Sequence, residues 1–314
     1  MREYRFDVVR VVCMTYIIAY IHLYGYIYPQ GRMTAYFPVC IAMTHACLGL
    51  FTFVSGYLLG KKYSFGQLGN SDVWMFYKKR ILRIIPLFVL SSIVLWLIGF
   101  NDTNATINGL LCISPYVDPK PRTLYYIPVI LWCYLVTPLI SRRKLKWRLW
   151  GCLSLFFLLL VARFVFPSID NRFVFNVFFY FVGVVTASSF DWKLNIFNGR
   201  TIIILAFALL VVIAIRYSLL STNSRQMAFG AIGVFVLLFI CEGISRYGGR
   251  RFFNFVSYAS MACYMFHRFF YWFGELVWNP SETSMKWLYM AGVVFPLMII
   301  LSYGIQKIYD MLTK

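Results

Sequence analysis

The chain has 314 residues, of which 61% are hydrophobic and only 13% charged, and its formal net charge is +19. Soluble domains carry about 25% charged residues, so this composition excludes an ordinary soluble domain and predicts a protein whose solvent is a lipid bilayer. The basic residues are scattered over several short segments, which argues against nucleic-acid binding and assigns the charge to membrane topology and contact with anionic lipid.

Apolar runs of about 17 to 25 residues, long enough to cross a bilayer as helices, recur along the chain. Runs of this length favour helices over the alternating strands of a membrane barrel. They predict an all-α, polytopic helix bundle with ten transmembrane helices, over 8–29, 37–60, 81–100, 124–141, 149–167, 172–188, 200–219, 227–245, 252–275 and 287–309. No soluble domain fits between these spans, so residues 1–314 are predicted to form a single integral membrane domain.

The distribution of basic residues predicts the orientation. Most of the 30 Lys and Arg residues fall in segments that share one side of the membrane when the N-terminus is inside. The positive-inside rule then places both termini in the cytoplasm and predicts a multi-pass protein of the inner (plasma) membrane. The longest predicted outer connection, 101–123, is a candidate for a structured loop or lid. The eight cysteines contain no CxxC pair, so they are predicted to be packing thiols, and no metal site is expected.

All three histidines, His22, His45 and His267, lie in predicted spans. Polar groups inside a bilayer are costly and invite functional hypotheses. The helical rise places the three at similar depth, in the outer half of the bilayer. Such a layer is a candidate reaction centre because imidazole acts as acid, base or nucleophile near neutral pH. The structural alternative is a histidine that only forms a hydrogen bond between helices. Sequence context favours a functional role for His22 over this alternative, but it does not do so for His45.

Basic residues also gather at the predicted inner ends of the first and third spans. Arg80 and Arg83 are three positions apart, so they share one side of a helix and are able to grip phosphates. Arg10 belongs to the same inner layer and is expected to pair with Asp7. Snorkelling and topology anchoring are the alternative explanation for these arginines.

Five strings in chain order carry a family resemblance: FDVVRVV…IH (6–22), FTFVSGYLL (51–59), YKKRILRIIP (77–86), YYIPVILWCYLVTPLI (125–140) and VSYASMACYMFH (256–267). Over almost its whole length the chain resembles the acyltransferase-3 family of integral membrane acyltransferases. That family modifies bacterial surface glycans, usually by O-acetylation. The resemblance therefore implies a membrane acyltransferase.

The resemblance also implies functional residues at matching positions. His22 matches the histidine of the family's first span and His267 the histidine that ends its SYxxYLxH pattern, so both are predicted to be catalytic. The predicted acyl-CoA-binding residues match the family's basic positions and its SGF-type turn: Arg10, Ser55, Gly56, Arg80 and Arg83. Eleven residues separate Arg10 from His22 where the family typically has ten, so His22 is expected to be rotated by about a quarter turn relative to Arg10.

Together these features predict an O-acyltransferase, in the simplest case an O-acetyltransferase of polysaccharide biosynthesis. It would move an acyl group from cytoplasmic acetyl-CoA across the membrane to a hydroxyl of a surface glycan, exopolysaccharide or glycolipid. His22 would be either a general base or a covalent acyl carrier, and the sequence leaves both open. The competing functions are a glycan or lipid transporter or flippase, and a membrane scaffold. The sequence determines neither the acceptor nor the oligomeric state.

Two further roles are expected near the outer ends of the spans. Glu275 is a candidate to orient one of the histidines. Aromatic side chains are candidates to stack on a sugar, with an interfacial aromatic belt as the alternative: Tyr125, Tyr126, Trp132, Tyr271 and Trp272.

Overall fold

The structure is a computed structural model that describes residues 4–28, 37–62, 70–141, 145–187 and 222–313. These residues form helices and connections with no strand among them, which confirms the all-α prediction for the described part of the chain. The helices, in chain order, are α1 (Tyr4–Ile27), α2 (Phe37–Lys62), α3 (Asn70–Leu97), α4 (Thr103–Leu110), α5 (Tyr126–Ser141), α6 (Leu145–Val165), α7 (Asn171–Thr186), α8 (Thr222–Arg246), α9 (Arg250–Val277) and α10 (Thr283–Leu312).

Within the described ranges, six helices are long and apolar enough to cross a membrane: α1, α2, α3, α6, α8 and α10. Helices α5 and α7 are apolar but shorter. Helix α9 has 28 residues and coincides with the predicted span 252–275. The predicted span over 200–219 lies outside the described residues. A polytopic helical membrane protein is therefore supported, whereas the count of ten spans and the cytoplasmic position of the termini stay predictions.

The described residues group into two compact units. Unit 1 contains the described residues within Met1–Phe51 and Trp192–Leu312, and unit 2 contains those within Thr52–Asp191 together with Thr313. The boundary falls inside α2. The prediction of one integral membrane domain over 1–314 stays a prediction.

In unit 1, α1 and the first part of α2 run antiparallel. The Cys13 thiol lies against Cys47, and the Tyr20 hydroxyl lies 3.7 Å from the Cys40 sulfur, so the contacts move backward along α2 as α1 advances. Helix α8 runs in the same direction as α2. A Cβ at Gly230 would lie 3.0 Å from the carbonyl oxygen of Ala42, and one at Gly233 would lie 2.7 Å from the Ala46 Cβ.

Helix α9 runs parallel to α1 in the same unit. Asp7 meets Ser257 near the start of both helices, and His22 meets His267 further along both. Helix α10 then returns antiparallel to α9, since the ring of Phe255 stacks on Tyr303 and Gly274 faces Val294. The parallel pair α1 and α9 is the framework of the candidate site.

Helix α1 is irregular at one point. It is α-helical over Tyr4–Thr15, π-helical over Tyr16–His22 and α-helical again over Leu23–Ile27. The amide of Leu23 donates to the carbonyl of Ile18, five residues back, which is the π pattern. A π hydrogen bond encloses one residue more than an α hydrogen bond, so this π turn loops out one residue of α1.

Unit 2 depends on close contact between the end of α2 and α7. A Cβ at Gly56 would run into the carbonyl oxygen of Tyr180, and one at Gly183 would lie 2.8 Å from the amide nitrogen of Tyr57. Glycine is required where two helix backbones approach this closely, as is common inside membranes. The predicted SGF-type turn at Ser55–Gly56 is therefore wrong: both residues lie within continuous α2, and Gly56 serves helix packing.

Arg148 is the largest fully buried side chain of unit 2. Its guanidinium donates to the carbonyl oxygens of Gly60 (3.5 Å) and Val184 (3.4 Å), near the ends of α2 and α7. Carbonyls at helix C-termini carry partial negative charge, so the buried cation stabilises both ends. Arg148 directly precedes the predicted span 149–167, and that position alone does not indicate burial.

The predicted structured loop 101–123 is confirmed. It contains α4, whose N-terminus is capped by the Asp102 carboxylate accepting from the Ala105 amide (2.7 Å). The Asn101 side chain accepts from the Arg122 amide (3.0 Å) and so ties the two ends of the loop together. The eight cysteines of the chain are free and most are buried, as expected of packing thiols.

Candidate active site

Two histidines that are far apart in the chain meet in unit 1. His22 Nδ1, at the end of the π turn, lies 2.6 Å from His267 Nε2 on α9. The ring planes differ by 12° and the centroids are 4.7 Å apart. Face-to-face rings cannot bring two atoms within about 3 Å, because carbon atoms in contact lie roughly 3.5 Å apart. The rings are therefore nearly coplanar and joined edge to edge by a hydrogen bond.

The hydrogen bonds assign the tautomers of both rings when both are neutral. His267 Nδ1 lies 2.7 Å from the carbonyl oxygen of Tyr264, and a carbonyl only accepts, so this nitrogen carries a proton. His267 Nε2 is then an acceptor, and His22 Nδ1 must donate to it. His22 Nε2 is left with a lone pair, so the one basic nitrogen of the pair belongs to His22.

This arrangement has a definite chemical capacity. His22 Nε2 is able to take a proton from a hydroxyl or to attack a carbonyl carbon. When it becomes positively charged, its Nδ1–H still donates to His267 Nε2, which stabilises the charge and fixes the ring. His267 is buried, whereas His22 is half-buried. Within the pair, His22 Nε2 is therefore the nitrogen that keeps a lone pair, and the hydrogen bond from Nδ1 to His267 fixes its ring.

Two residues beside the pair were missed or misjudged from the sequence. Arg268 donates from Nη1 to the carbonyl oxygen of His22 (3.2 Å), and its charge lies within electrostatic range of both imidazoles. An arginine inside a predicted span was the signal that could have found it. Tyr271, one of the aromatic candidates for sugar stacking, is instead fully buried and donates to the carbonyl oxygen of Ile18 (3.1 Å).

The other candidates of this layer have other partners. His45 lies on α2 and packs against Gly230 of α8. Glu275, expected to orient a histidine, forms an ion pair with Lys286 at 2.6 Å. The Tyr264 carbonyl, and not this carboxylate, orients His267. In the described part of the chain, no cluster of three or more His, Cys, Asp or Glu side chains is arranged to hold a metal ion.

Arg10 lies at the other end of the contact between α1 and α9. Its Nη1 donates to the Asp7 carboxylate at 3.3 Å, which confirms the expected pair. The same carboxylate oxygen accepts from the Ser257 hydroxyl (2.6 Å), and Asp7 is buried. Asp7 therefore links Arg10 to Ser257 of α9. Ser257 precedes His267 by ten positions, or about 15 Å along the helix.

The π turn removes the expected rotation of His22. An extra residue in a regular α-helix would turn His22 by about 100° relative to Arg10. The π turn between them loops out one residue, so the residues that follow return to the angular positions they would occupy without it. His22 consequently faces the same helix, α9, as Asp7 does.

In unit 2, Arg80 and Arg83 lie on α3 as predicted, but their surroundings differ. Arg80 is half-buried, with its guanidinium 5.3 Å from the ring centroid of Tyr134 and 5.8 Å from that of Phe76. Arg83 is exposed. Aromatic faces hold a cation in place, so Arg80 is oriented, whereas the exposed Arg83 side chain is less restricted.

Comparison with known proteins assigns a family. The family model described as an acyltransferase domain, of the acyltransferase-3 type, matches residues 3–307, nearly the whole chain. No curated protein and no solved structure was found to match the chain.

Proposed function

Because the chain belongs to the acyltransferase-3 family, we propose that it is a membrane O-acyltransferase that carries an acyl group from cytoplasmic acyl-CoA to a hydroxyl of a surface glycan or exopolysaccharide. Acetyl-CoA is the proposed donor. The observation that carries the proposal is the bond from His22 Nδ1 to His267 Nε2, which leaves the His22 Nε2 lone pair available for acyl transfer.

Two routes use this nitrogen. In the first, His22 Nε2 removes the proton of the acceptor hydroxyl, the oxygen attacks the thioester carbonyl carbon, the C–S bond breaks, and the thiolate takes the proton from Nε2. In the second, Nε2 itself attacks the carbonyl carbon and the thiolate leaves. The acceptor oxygen then attacks the acyl-imidazole, and its proton goes to the thiolate. Both routes give an ester and free CoA.

Acyl-CoA binding is assigned to basic residues. In unit 2, Arg80 and Arg83 are proposed to bind the phosphates of CoA, with Ser55 as a further polar contact. The oriented guanidinium of Arg80 supports this role because charge-assisted bonds to phosphate require a fixed donor geometry. In unit 1, Arg10, whose guanidinium donates to Asp7, is proposed as a further acyl-CoA-binding residue.

Ten membrane crossings are proposed as well. Helices α2 and α8 run in the same direction in unit 1, so an odd number of crossings must separate them if each span crosses once. The apolar helices α3, α5, α6 and α7 would supply four, if the shorter α5 and α7 also cross. The span predicted over 200–219, outside the described residues, would supply the fifth, which supports the count of ten and an arrangement with both termini on one side.

One experiment tests the enzymatic function. Membranes containing the wild type, His22→Ala or His45→Gln are supplied with radiolabelled acetyl-CoA, and label in glycan esters and free CoA are both measured. Loss in His22→Ala, with wild-type transfer in the His45→Gln control at equal protein abundance, supports the proposal. Unchanged transfer in His22→Ala rules out His22 as the centre. Loss of glycan export with intact acylation would point to a transporter.

A second measurement separates the two routes. Rapid mixing of the protein with acetyl-CoA in the absence of acceptor releases one equivalent of CoA per protein in a burst if His22 carries the acyl group. The general-base route releases CoA only when a hydroxyl acceptor is present.

A further inference from the structure

The reactive nitrogen of His22 is aimed by an irregular stretch of helix. His22 is the last residue of the π turn Tyr16–His22. A π turn is rare, occurs mostly as a single turn inside an α-helix, and is frequent at functional sites. It is less favourable than the regular helix on either side, so contacts from neighbouring elements must stabilise it. In unit 1 helix α9 provides such contacts.

Two neighbouring side chains of α9 donate to carbonyl groups of the π turn. The Tyr271 hydroxyl donates to the Ile18 oxygen (3.1 Å), and Arg268 Nη1 donates to the His22 oxygen (3.2 Å). Ile18 and His22 are four positions apart on α1, and Arg268 and Tyr271 are three apart on α9, so each pair shares one helical side. His267, which bonds to the His22 imidazole, directly precedes Arg268 in the chain.

The two donors are themselves held by Tyr26. Its hydroxyl donates to the carbonyl oxygen of Arg268 (3.1 Å), and the Arg268 guanidinium lies 5.4 Å from the centroid of its ring. The same ring is 5.4 Å from the ring of Tyr271. Tyr271 is fully buried. Both donors therefore have restricted positions before any substrate binds.

We propose that Arg268 and Tyr271 are positioning residues that hold the π turn so that His22 Nδ1 points at His267 Nε2. This inference rests on the proposed role of His22. If the looped-out residue joined a regular helix, each later residue of α1 would rotate by about 100° and the His22 ring would leave His267. The same rotation would carry the His22 carbonyl away from Arg268, which is unfavourable in a water-free interior.

The test removes the donors with little change of shape. Tyr271→Phe deletes one hydroxyl, Arg268→Met deletes the guanidinium but keeps an unbranched stem, and Arg268→Lys restores a cationic donor. In the double variant Tyr271→Phe/Arg268→Met, kcat for acyl transfer is expected to fall about 10- to 100-fold, because small displacements of a reacting group are costly. The KM for acyl-CoA is expected to stay within about twofold, because substrate binding is not affected. Arg268→Lys is expected to recover part of kcat.

The chain offers a matched control. Tyr289→Phe also removes a hydroxyl that donates to a carbonyl of α9, that of Gly274 at 3.1 Å, but it makes no contact with the π turn of α1 in this bond. It is expected to keep wild-type kcat. A second readout is ¹⁵N NMR of histidine-labelled protein, in which His22 is expected to be protonated at Nδ1 in the wild type and to lose this assignment in the double variant. Tyr271→Phe alone serves if the double variant fails to accumulate.

The outcomes separate the two proposals. If His22→Ala keeps wild-type transfer, the proposed function fails and the positioning role fails with it. If His22→Ala is inactive but Tyr271→Phe and Arg268→Met match Tyr289→Phe in kcat and in the ¹⁵N spectrum, only the positioning role is overturned. A selective fall in kcat with a changed His22 tautomer supports it.

Discussion

His22 Nδ1 and His267 Nε2 lie 2.6 Å apart although 245 positions separate these residues in the chain. A carbonyl accepts the hydrogen bond from His267 Nδ1, so His267 Nε2 must accept the hydrogen bond from His22 Nδ1. The unprotonated nitrogen that remains is His22 Nε2. This relationship makes His267 the residue whose replacement should show what the pair contributes to the rate.

Replacing His267 should lower kcat without removing the reactive nitrogen. His267→Leu takes away the acceptor for His22 Nδ1, so kcat is expected to fall about 10²- to 10⁴-fold, the range typical of general acid–base groups. His267→Gln keeps an oxygen able to accept from Nδ1 and is expected to retain more activity than His267→Leu. Equal activity of the two variants in a membrane acyl-transfer assay would contradict an acceptor role.

The π turn predicts unequal effects of a deletion and an insertion in α1. Deleting Ala19 removes one residue from the turn, so α1 is expected to close as a regular helix with His22 still facing α9, and kcat should stay within about tenfold of wild type. Inserting an alanine after Ala19 rotates His22 by about 100°. The activity of the insertion variant is expected to fall to that of His22→Ala. The deletion and insertion variants are compared at equal abundance in membranes.

Arg80 and Arg83 predict an effect on substrate binding. A lost charge-assisted hydrogen bond costs about 1.5–3 kcal/mol, so Arg80→Ala is expected to raise the KM for acyl-CoA about 10-fold or more with kcat unchanged. Arg83→Ala should have a smaller effect, because its side chain is exposed and not held by aromatic rings. Lys79→Ala, an exposed neighbour on α3, is the control. Unaltered KM in Arg80→Ala would remove the phosphate role.

The glycine contact of unit 2 predicts a stability effect. Gly183→Ala places a methyl group against the backbone of α2, and such overpacking destabilises by about 1–3 kcal/mol or more. Gly304→Ala is the matched control because a methyl group added there on α10 would have no neighbouring atom within 4 Å. Alanine in a helix is favoured over glycine by up to about 1 kcal/mol, so the control should be neutral or stabilising. Thermal unfolding in detergent measures both.

Asp170 predicts a pH-dependent stability outside the spans. Burial opposes its ionisation, but hydrogen bonds and charge from Arg172, with Lys120, outweigh burial and lower the pKa of Asp170 below its usual 3.8. A lowered pKa in the folded state means that the stabilisation is complete above about pH 4 and is lost as the pH falls through the folded-state value. The pair contributes roughly 1 kcal/mol or less, because the Arg172 side chain is 45% exposed and screened by solvent.

Asp170→Asn isolates the charge, since asparagine also caps the N-terminus of α7. The variant is expected to unfold at a lower temperature than wild type at pH 7, and the difference should shrink below about pH 4. Equal unfolding temperatures of the two proteins at every pH would mean that Asp170 acts only as a cap, and a difference that does not change with pH would contradict a contribution from its charge.

Much of the site could be predicted from local patterns in the sequence. The long apolar runs indicate lipid as solvent, where a backbone must satisfy its own hydrogen bonds, and runs of this length favour helices over barrel strands. The pairing of Asp7 with Arg10 could be predicted because residues three positions apart on a helix are neighbours, and the structure confirms the contact. His22 and His267 stood out because a titratable group inside a bilayer is costly.

The tertiary structure alone decided what those residues do together. No local pattern shows that α1 and α9 run parallel, yet this direction brings His22 to His267 and Asp7 to Ser257. The π turn depends on contacts with α9, and the role of Gly56 depends on the backbone of α7. Such features arise where two distant helices must share one space, and the hydrogen bonds and packing between them are set by both helices at once.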